Sequence, residues 1–246
     1  MVVPSVGSTN AEVVAVGRAG APEGSLIVAE EQRSGRGRLD RSWLSPPGAG
    51  LTFSVLLRPS PPPGSWGCLP IIAGLALITA VRAVCVVEAA LKWPNDLLLG
   101  PGQAKAAGIL AESGDGAVVL GTGVNVSSLR AELPPGATSL LAEGAPVSRE
   151  LLLVELLLAL EALYRRWTAA GGDAEGSGVL AAYRQDCATL GRAVTVHLPR
   201  GDVLHGIAEA IDPAGGLQVR TSEGALTTVV AADVVHVRVG SPPSPS

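Results

Sequence analysis

Residues 91–96 read Leu-Lys-Trp-Pro-Asn-Asp. The apolar residues before them predict a strand over 88–93, and the proline ends its hydrogen-bonding ladder because proline has no amide N–H. Lys92 is therefore expected at a strand end beside a bulky indole, partly buried, where its charge needs a negative partner. A salt bridge to Asp96 or to a core carboxylate would meet that need, and so would an anionic ligand.

An arginine-rich segment precedes this strand. Residues 32–43 read Gln-Arg-Ser-Gly-Arg-Gly-Arg-Leu-Asp-Arg-Ser-Trp. Glycine lets a backbone approach a ligand closely, and arginine offers forked donors to phosphate or carboxylate oxygens. We expect 33–50 to be a loop that closes over an anionic ligand. A flexible surface loop and an RGG-like nucleic-acid segment are the alternatives.

Two residue types are scarce and fall in a revealing pattern. The only lysines are Lys92 and Lys105, and the only asparagines are Asn10, Asn95 and Asn125. All five lie in the first 126 residues, at predicted strand ends or next to motifs such as Gly-Thr-Gly-Val-Asn-Val at 121–126. Asn125 can pair with an adenine edge or cap a turn. We interpret the clustering as one site assembled from several strand ends.

Composition limits the classes of protein and of chemistry. The 246 residues are 47% hydrophobic and 16% charged, a globular composition, and the net charge of −4 provides no basic field for nucleic acid. The three histidines, His197, His205 and His236, lie in the C-terminal region, away from the segments above, so neither a catalytic triad nor a His/Cys metal cluster is expected. The sequence also has no G-x-x-x-x-G-K-[ST] phosphate loop. If the protein is an enzyme, its nucleophile is therefore expected to come from a substrate.

Other features predict where the protein resides. The three cysteines form no Cys-x-x-Cys pair, which indicates a reducing cytoplasm. The apolar runs 68–81 and 151–163 are too short or too interrupted to span a membrane and predict buried helices. The N-terminus lacks the features of a signal peptide.

The periodicity predicts an α+β fold in two domains. Strands are expected at 25–30, 51–58, 88–93, 107–112 and 117–126, with a turn at 100–102 between the third and fourth, and helices from a Ser8 cap, at 69–85, 149–168 and 178–187. Short alternating runs over 192–239 predict a small antiparallel barrel. We place the domains at 1–188 and 189–239, followed by a disordered tail, 240–246.

Five segments together resemble a known family. They are Gly-Ser-Thr-Asn at 7–10, Q-x-x-G-R-G-R at 32–38, K-W-P-N-D at 92–96, K-x-x-G-I-L-x-E at 105–112 and G-x-G-V-N at 121–125. Their order and spacing resemble the motif series of biotin–protein ligases. That resemblance implies a mixed sheet with helices on one face, as in class II synthetases, and a C-terminal Src-homology-type barrel. It also implies a short form without the N-terminal DNA-binding domain of some relatives.

The resemblance implies ATP-dependent formation of biotinyl-5'-AMP and transfer of biotin to a lysine of a biotin carboxyl carrier domain, with Mg²⁺ carried by ATP and no protein-held metal. A homodimer is possible, and no nucleic-acid or membrane partner is expected. Acceptor docking is expected to use an exposed edge strand. The catalytic residues would be Lys92, Arg36 and Arg38; the biotin site Ser8, Thr9, Asn10, Gln32, Arg36, Gly37, Arg38, Lys92, Gly108 and Ile109; the nucleotide site Arg38, Arg41, Trp43, Lys92 and Asn125.

One departure and three alternatives remain. Leu39-Asp40 follows the G-R-G-R run, where the family commonly has another glycine. A lipoate–protein ligase resembles the family in fold and also forms an acyl-adenylate. A non-catalytic regulator would bind biotin or nucleotide without releasing pyrophosphate. A nucleic-acid-binding module is disfavoured by the negative charge.

Overall fold

A computed structural model describes residues 1–38, 41–198, 201–230 and 233–236, with only the backbone described for Leu44. The α-helices are α1 (Thr9–Arg18), α2 (Leu69–Val84), α3 (Arg149–Ala169) and α4 (Val179–Asp186). The strands are β1 (Val2–Val3), β2 (Leu26–Ala29), β3 (Gln32–Arg36), β4 (Ser42–Ser45), β5 (Gly50–Leu57), β6 (Ala89–Lys92), β7 (Asp96–Leu99), β8 (Ala104–Gly114), β9 (Ala117–Asn125), β10 (Ala193–His197), β11 (Val203–Ile211), β12 (Leu217–Arg220), β13 (Leu226–Val229) and β14 (Asp233–His236). The tail 240–246 and Asp40 lie outside the described residues.

The N-terminal region forms a seven-stranded sheet in the order β1-β2-β5-β9-β8-β7-β6. Strands β1 and β2 are parallel and the other neighbours are antiparallel, so the sheet is mixed. Alternate residues of β5 face opposite sides, as the period of two requires. Phe53 and Val55 pack in the main core with α2, whereas Leu56 packs with Val13 of α1 on the other side.

The predicted α+β class is confirmed, with one difference in the placement of a helix. Helices α2 and α3 pack together on one face of the sheet, as expected, and α1 lies on the opposite face. Ser8 occupies the N-cap position of α1 with extended backbone, but its side chain makes no capping hydrogen bond. Helix α1 therefore begins where predicted, without the predicted cap.

The apolar run at 68–81 forms a core helix. By length and composition alone, the helical segment Pro63–Val84 could cross a membrane, but 67% of its most apolar window is buried inside the protein. Helix α2 packs against α3 and against strands β6, β7 and β8. The run is thus accounted for by the interior of the fold.

Four strands were not predicted. Strand β7 follows Asn95 directly and pairs with β6. The turn at 100–102 therefore connects β7 to β8, and it does not connect the strands predicted at 88–93 and 107–112 directly. Strands β3 and β4 form a two-stranded hairpin inside the expected 33–50 loop, with Gly35 opposite Trp43. Glycine is a poor strand former, and residues 32–36 show no alternation of apolar and polar residues, which concealed the hairpin. Strand β1 has only two residues.

The C-terminal region forms a five-stranded antiparallel sheet in the order β13-β12-β11-β10-β14. Its inward-facing valines join the same apolar core as α2 and the large sheet. Trp93, 1% exposed, donates from its indole nitrogen to the Gly215 carbonyl at 2.9 Å. The residue after Lys92 is therefore anchored to the C-terminal sheet.

Candidate active site

The ends of several strands and the β3–β4 hairpin surround a cavity of about 710 Å³. Every residue to which the sequence assigned a binding or catalytic role lines it, as do all three asparagines and both lysines of the chain. The structure thus brings these residues together, although the ligand that each contacts stays a prediction. The lining residues with predicted roles are Ser8, Thr9, Asn10, Gln32, Arg36, Gly37, Arg38, Arg41, Trp43, Lys92, Gly108, Ile109 and Asn125.

At one end of the cavity, four buried and uncharged side chains share a network of hydrogen bonds, called here the neutral end (Thr9, Asn10, Gln32 and Ser54). The backbone N–H and hydroxyl of Thr9 donate to Gln32 Oε1 at 2.9 and 3.1 Å. Ser54 Oγ lies 2.7 Å from Thr9 Oγ1 and 2.6 Å from Asn10 Oδ1. Because Gln32 Oε1 is satisfied, the amide nitrogen of Gln32 is left to donate to a ligand acceptor.

Two glycines of β9 make room for this arrangement. A Cβ atom at Gly121 would overlap Asn10 Oδ1, and one at Gly123 would overlap the indole ring of Trp43. Asn10 and Trp43 can therefore lie against the sheet only where it has no side chain. This close approach explains the Gly-x-Gly spacing at 121–123.

The other end, called here the cationic end, is defined by Arg38, Arg41, Lys92 and Lys105. The Lys105 ammonium pairs with Asp96 at 2.6 Å and lies 5.8 Å from the centroid of the Trp43 ring. Within the described part of the chain, Lys92 and Arg38 form no ion pair. The salt bridge between Lys92 and Asp96 considered from the sequence is thus not formed, because Asp96 pairs with Lys105.

Arg38 is half-buried and lies close to two carboxylates without forming an ion pair with either. Burial lowers the pKa of its guanidinium, while the charges of Asp96 and Asp233 act in the opposite direction. The group remains cationic, since a guanidinium is not deprotonated in proteins. A partly desolvated cation attracts an anionic ligand more strongly than one in open water.

The C-terminal sheet contributes to the cationic end. Asp233 and Val234 of β14 line the cavity, and Arg41 donates to both carboxylate oxygens of Asp233. No sequence signal identified either residue, because they lie about 140 positions after the Lys92 motif and in the C-terminal sheet.

His236 corrects an expectation about the histidines. Its Nε2 lies 3.0 Å from Thr189 Oγ1, which accepts a hydrogen bond from the backbone N–H of Trp93 at 3.0 Å. Burial, followed by the charges of Lys92 and Arg192, lowers the pKa of His236 to about 4. His236 is not among the residues that line the cavity, but these hydrogen bonds link it to Trp93, so the expectation that all three histidines lie away from the Lys92 motif is wrong for His236.

The amides at 95 and 125 hold backbone segments in place. Asn95 Nδ2 donates to the Ile109 carbonyl at 2.7 Å, and Asn125 Nδ2 donates to the Thr138 carbonyl at 2.9 Å. Asn125 thus organises the 138 segment, as a turn-capping residue would, and keeps Oδ1 as an acceptor. An acceptor at this point suits an exocyclic amino group.

Sequence reasoning also missed two hydroxyls of β5. Thr52 and Ser54 are buried on the face that carries α1, and Thr52 lines the cavity. Both are polar residues two positions apart in an otherwise apolar strand. That alternation was a readable signal, since a polar side chain buried in a core needs a partner.

Comparison with known proteins identifies the family. Residues 2–127 match the model of the Biotin/lipoate A/B protein ligase family, and residues 189–237 match that of the Biotin protein ligase C terminal domain. The chain belongs to the Biotin/lipoate A/B protein ligase family. The second match adds the C-terminal module of the biotin ligases.

Individual relatives agree with this assignment. The chain is 41% identical to a biotin--[acetyl-CoA-carboxylase] ligase of Mycobacterium tuberculosis over 96% of this chain and 88% of that protein. It is 33% identical to a biotin--[acetyl-CoA-carboxylase] ligase of Paracoccus denitrificans over 88% of this chain and 92% of that protein. Biotin protein ligase from Aquifex aeolicus in complex with biotin and ATP superposes with a TM-score of 0.80 at 25% identity, covering 97% of this chain and 98% of the other.

Proposed function

We propose that this chain is a ligase that forms biotinyl-5'-AMP from biotin and ATP and transfers the biotin to a lysine of a biotin carboxyl carrier domain. The observation that carries the proposal is the pairing, in one cavity, of a neutral hydrogen-bonding end with Lys92 and Arg38, which form no ion pair among the described residues. The named relatives, two of them biotin--[acetyl-CoA-carboxylase] ligases, support the same reaction.

The neutral end would hold the ring system of biotin. The ureido group of biotin is uncharged and carries both donors and an acceptor, so it matches fixed amides and hydroxyls better than it matches charges. Gln32 can donate through its amide nitrogen, and Asn10 retains a lone pair on Oδ1. Ser8, Thr9, Gly37, Gly108 and Ile109 would complete the biotin site.

The cationic end would carry out the first step. A biotin carboxylate oxygen attacks the α-phosphorus of ATP, the bond between that phosphorus and the bridging oxygen breaks, and pyrophosphate leaves. Two anionic groups must meet, so cations at their junction reduce the repulsion and stabilise the charge that develops. Lys92 and Arg38 would provide this charge, together with Arg36 on the hairpin.

The nucleotide would lie toward Trp43 and Asn125. The indole offers a flat surface to the adenine, Asn125 Oδ1 offers an acceptor, and Arg41 offers donors to phosphate oxygens. Mg²⁺ would enter as part of the ATP complex and shield the pyrophosphate. The hairpin would cover the product, because a mixed anhydride is destroyed by water.

In the second step a lysine amine of the acceptor attacks the acyl carbon and AMP leaves. A second depression, of about 480 Å³, shares Arg38, Trp93 and Pro94 with the cavity, and we propose that the acceptor lysine enters from this side. We further propose that the acceptor domain pairs with an edge strand. The chain would act in the cytoplasm. Its two domains would divide between residues 188 and 189. A homodimer is one assembly that the chain could form.

The test is mass spectrometry of a biotin carboxyl carrier domain after incubation with the purified chain and Mg-ATP. We expect one biotinyl group on one lysine, formed only when biotin and ATP are both present. A parallel reaction with lipoic acid and a lipoyl domain tests the competing ligase. Modification of the lipoyl domain by lipoic acid, with no biotin on the carrier domain, would contradict the proposal. Binding of biotin without release of pyrophosphate would indicate a regulator.

A further inference from the structure

Glu112 of β8 lies outside the cavity lining, yet its carboxylate contacts two cavity residues. Its Oε2 accepts a hydrogen bond from Asn10 Nδ2 at 2.7 Å, and its Oε1 accepts one from the Arg36 guanidinium at 3.1 Å. We propose that Glu112 is a positioning residue that orients a neutral-end amide and a hairpin arginine with one carboxylate. This inference rests on the proposed function, since it concerns how biotin is bound and adenylated.

The contacts of Asn10 show how its orientation is set. Its Oδ1 lies 2.6 Å from Ser54 Oγ, and its Nδ2 donates to Glu112 and, at 3.3 Å, to the Leu110 carbonyl. A flipped amide would place Oδ1 against the carboxylate and the carbonyl, where acceptors repel. Glu112 therefore fixes the amide so that a lone pair of Oδ1 is what Asn10 can offer a ligand. An acceptor held in this way suits a ureido N–H.

The ion pair between Arg36 and Glu112 fixes the position of Arg36 more than it stabilises the fold. The side chains of Arg36 and Glu112 are 54% and 32% exposed, and half-exposed ion pairs stabilise a fold little. The bond does tie the end of β3 to the large sheet, because Arg36 is the last residue of that strand. Among the described residues, one terminal nitrogen of Arg36 is engaged, so the guanidinium keeps donors for a carboxylate or phosphate oxygen.

Two substitutions separate the two contacts. In Glu112→Gln the amide oxygen can still accept from Asn10, but the charge that holds Arg36 is lost. In Glu112→Ala both contacts are lost. Asp115→Asn is the matched control: it removes the Arg18–Asp115 ion pair, 3.0 Å long and highly exposed, from the turn at the end of the same strand.

The measurements are the Kd for biotin without ATP, by calorimetry, and kcat and KM for biotin in a pyrophosphate-release assay. For Glu112→Gln we expect a Kd within about twofold of the wild type, because the amide oxygen still accepts a hydrogen bond from Asn10. We expect a kcat about tenfold lower, because the stronger, charged contact with Arg36 is lost. For Glu112→Ala we expect the Kd to rise about tenfold as well. Adding Asn10→Ala to Glu112→Ala should raise Kd little further, since the two act together.

Circular dichroism melts show whether each variant folds. If Glu112→Ala fails to fold, Glu112→Gln still decides the matter through its kcat. A Glu112→Gln kcat equal to the wild-type value, or a folded Glu112→Ala that binds biotin normally, would overturn the inference while leaving the proposed function intact. Wild-type protein that binds no biotin would instead overturn the proposed function.

Discussion

The two ends of the cavity are built by different physical means. At the neutral end Thr9, Gln32 and Ser54 are buried and satisfy one another through hydrogen bonds within the N-terminal domain. At the cationic end, charged side chains from strand ends, the hairpin and the C-terminal sheet lie half-exposed. The hydrogen bonds of the neutral end act only over short distances and hold its side chains in place. The charges of the cationic end act over longer distances, and their half-exposed side chains have more room to move.

This difference assigns different tasks to the two ends. Preorganised neutral groups discriminate between ligands, because a mismatched ligand leaves a buried polar atom without a partner. Charges brought together from separate elements reduce the repulsion between two anions and act on the reaction step. Changes at the neutral end should therefore alter Kd for biotin, and changes at the cationic end should alter kcat or KM for ATP.

The largest effect is expected for Lys92→Ala. Removing this cation should lower kcat for adenylate formation by about 10²–10³-fold, the range seen when one transition-state contact is lost. The Kd for biotin should change much less. Pyrophosphate release measures the first quantity and calorimetry the second, with Arg18→Ala as a control that removes an exposed charge elsewhere. Equal losses in both quantities would break the division between the two ends.

A smaller effect is expected for Gly121→Ala. The added methyl group would overlap Asn10 Oδ1, so the amide must move and affinity for biotin should fall by on the order of tenfold or more. Titration calorimetry checks this, with Gly102→Ala as the control because a Cβ there meets nothing within 4 Å. An unchanged affinity for biotin would mean that the side chains of the neutral end can move more easily than their hydrogen bonds indicate.

Asp233→Asn tests the cationic end more gently. In the ligand-free protein Asp233 neutralises Arg41, so loss of its charge should lower KM for ATP by about threefold at low ionic strength, with less effect in salt. A pyrophosphate-release assay at two salt concentrations measures this. A higher KM would show that Asp233 holds Arg41 in place for the phosphate instead.

His236 gives the smallest effect, on stability. Because its pKa is lowered to about 4, the folded protein favours the neutral ring. The stability this provides is present above the ordinary pKa near 6.5 and is lost as the pH falls from there toward 4. The free energy of unfolding in urea should therefore fall between pH 7 and pH 5. His236→Gln should flatten that dependence, and an unchanged slope would assign it to another group.

Much of the fold and of the site was readable in the sequence. Long periodic segments such as α3 and β9 lie within a residue or two of their predicted bounds. Strand β7 was missed because its four residues follow directly on the Trp93–Asn95 turn and show no alternation. The lysines and asparagines were informative because they are scarce. Asp233 and His236 carried no local signal, since their position near the site depends on how the C-terminal sheet packs against the N-terminal region.

The anchoring of Trp93 has a consequence for how the protein melts. Its indole is buried and donates to the Gly215 carbonyl, and its backbone N–H donates to Thr189 Oγ1. Separating the C-terminal sheet from the N-terminal region would expose this large ring to water and break two internal hydrogen bonds, next to Lys92. Although the sequence reads as two modules, the chain should therefore lose its tertiary structure in a single cooperative step.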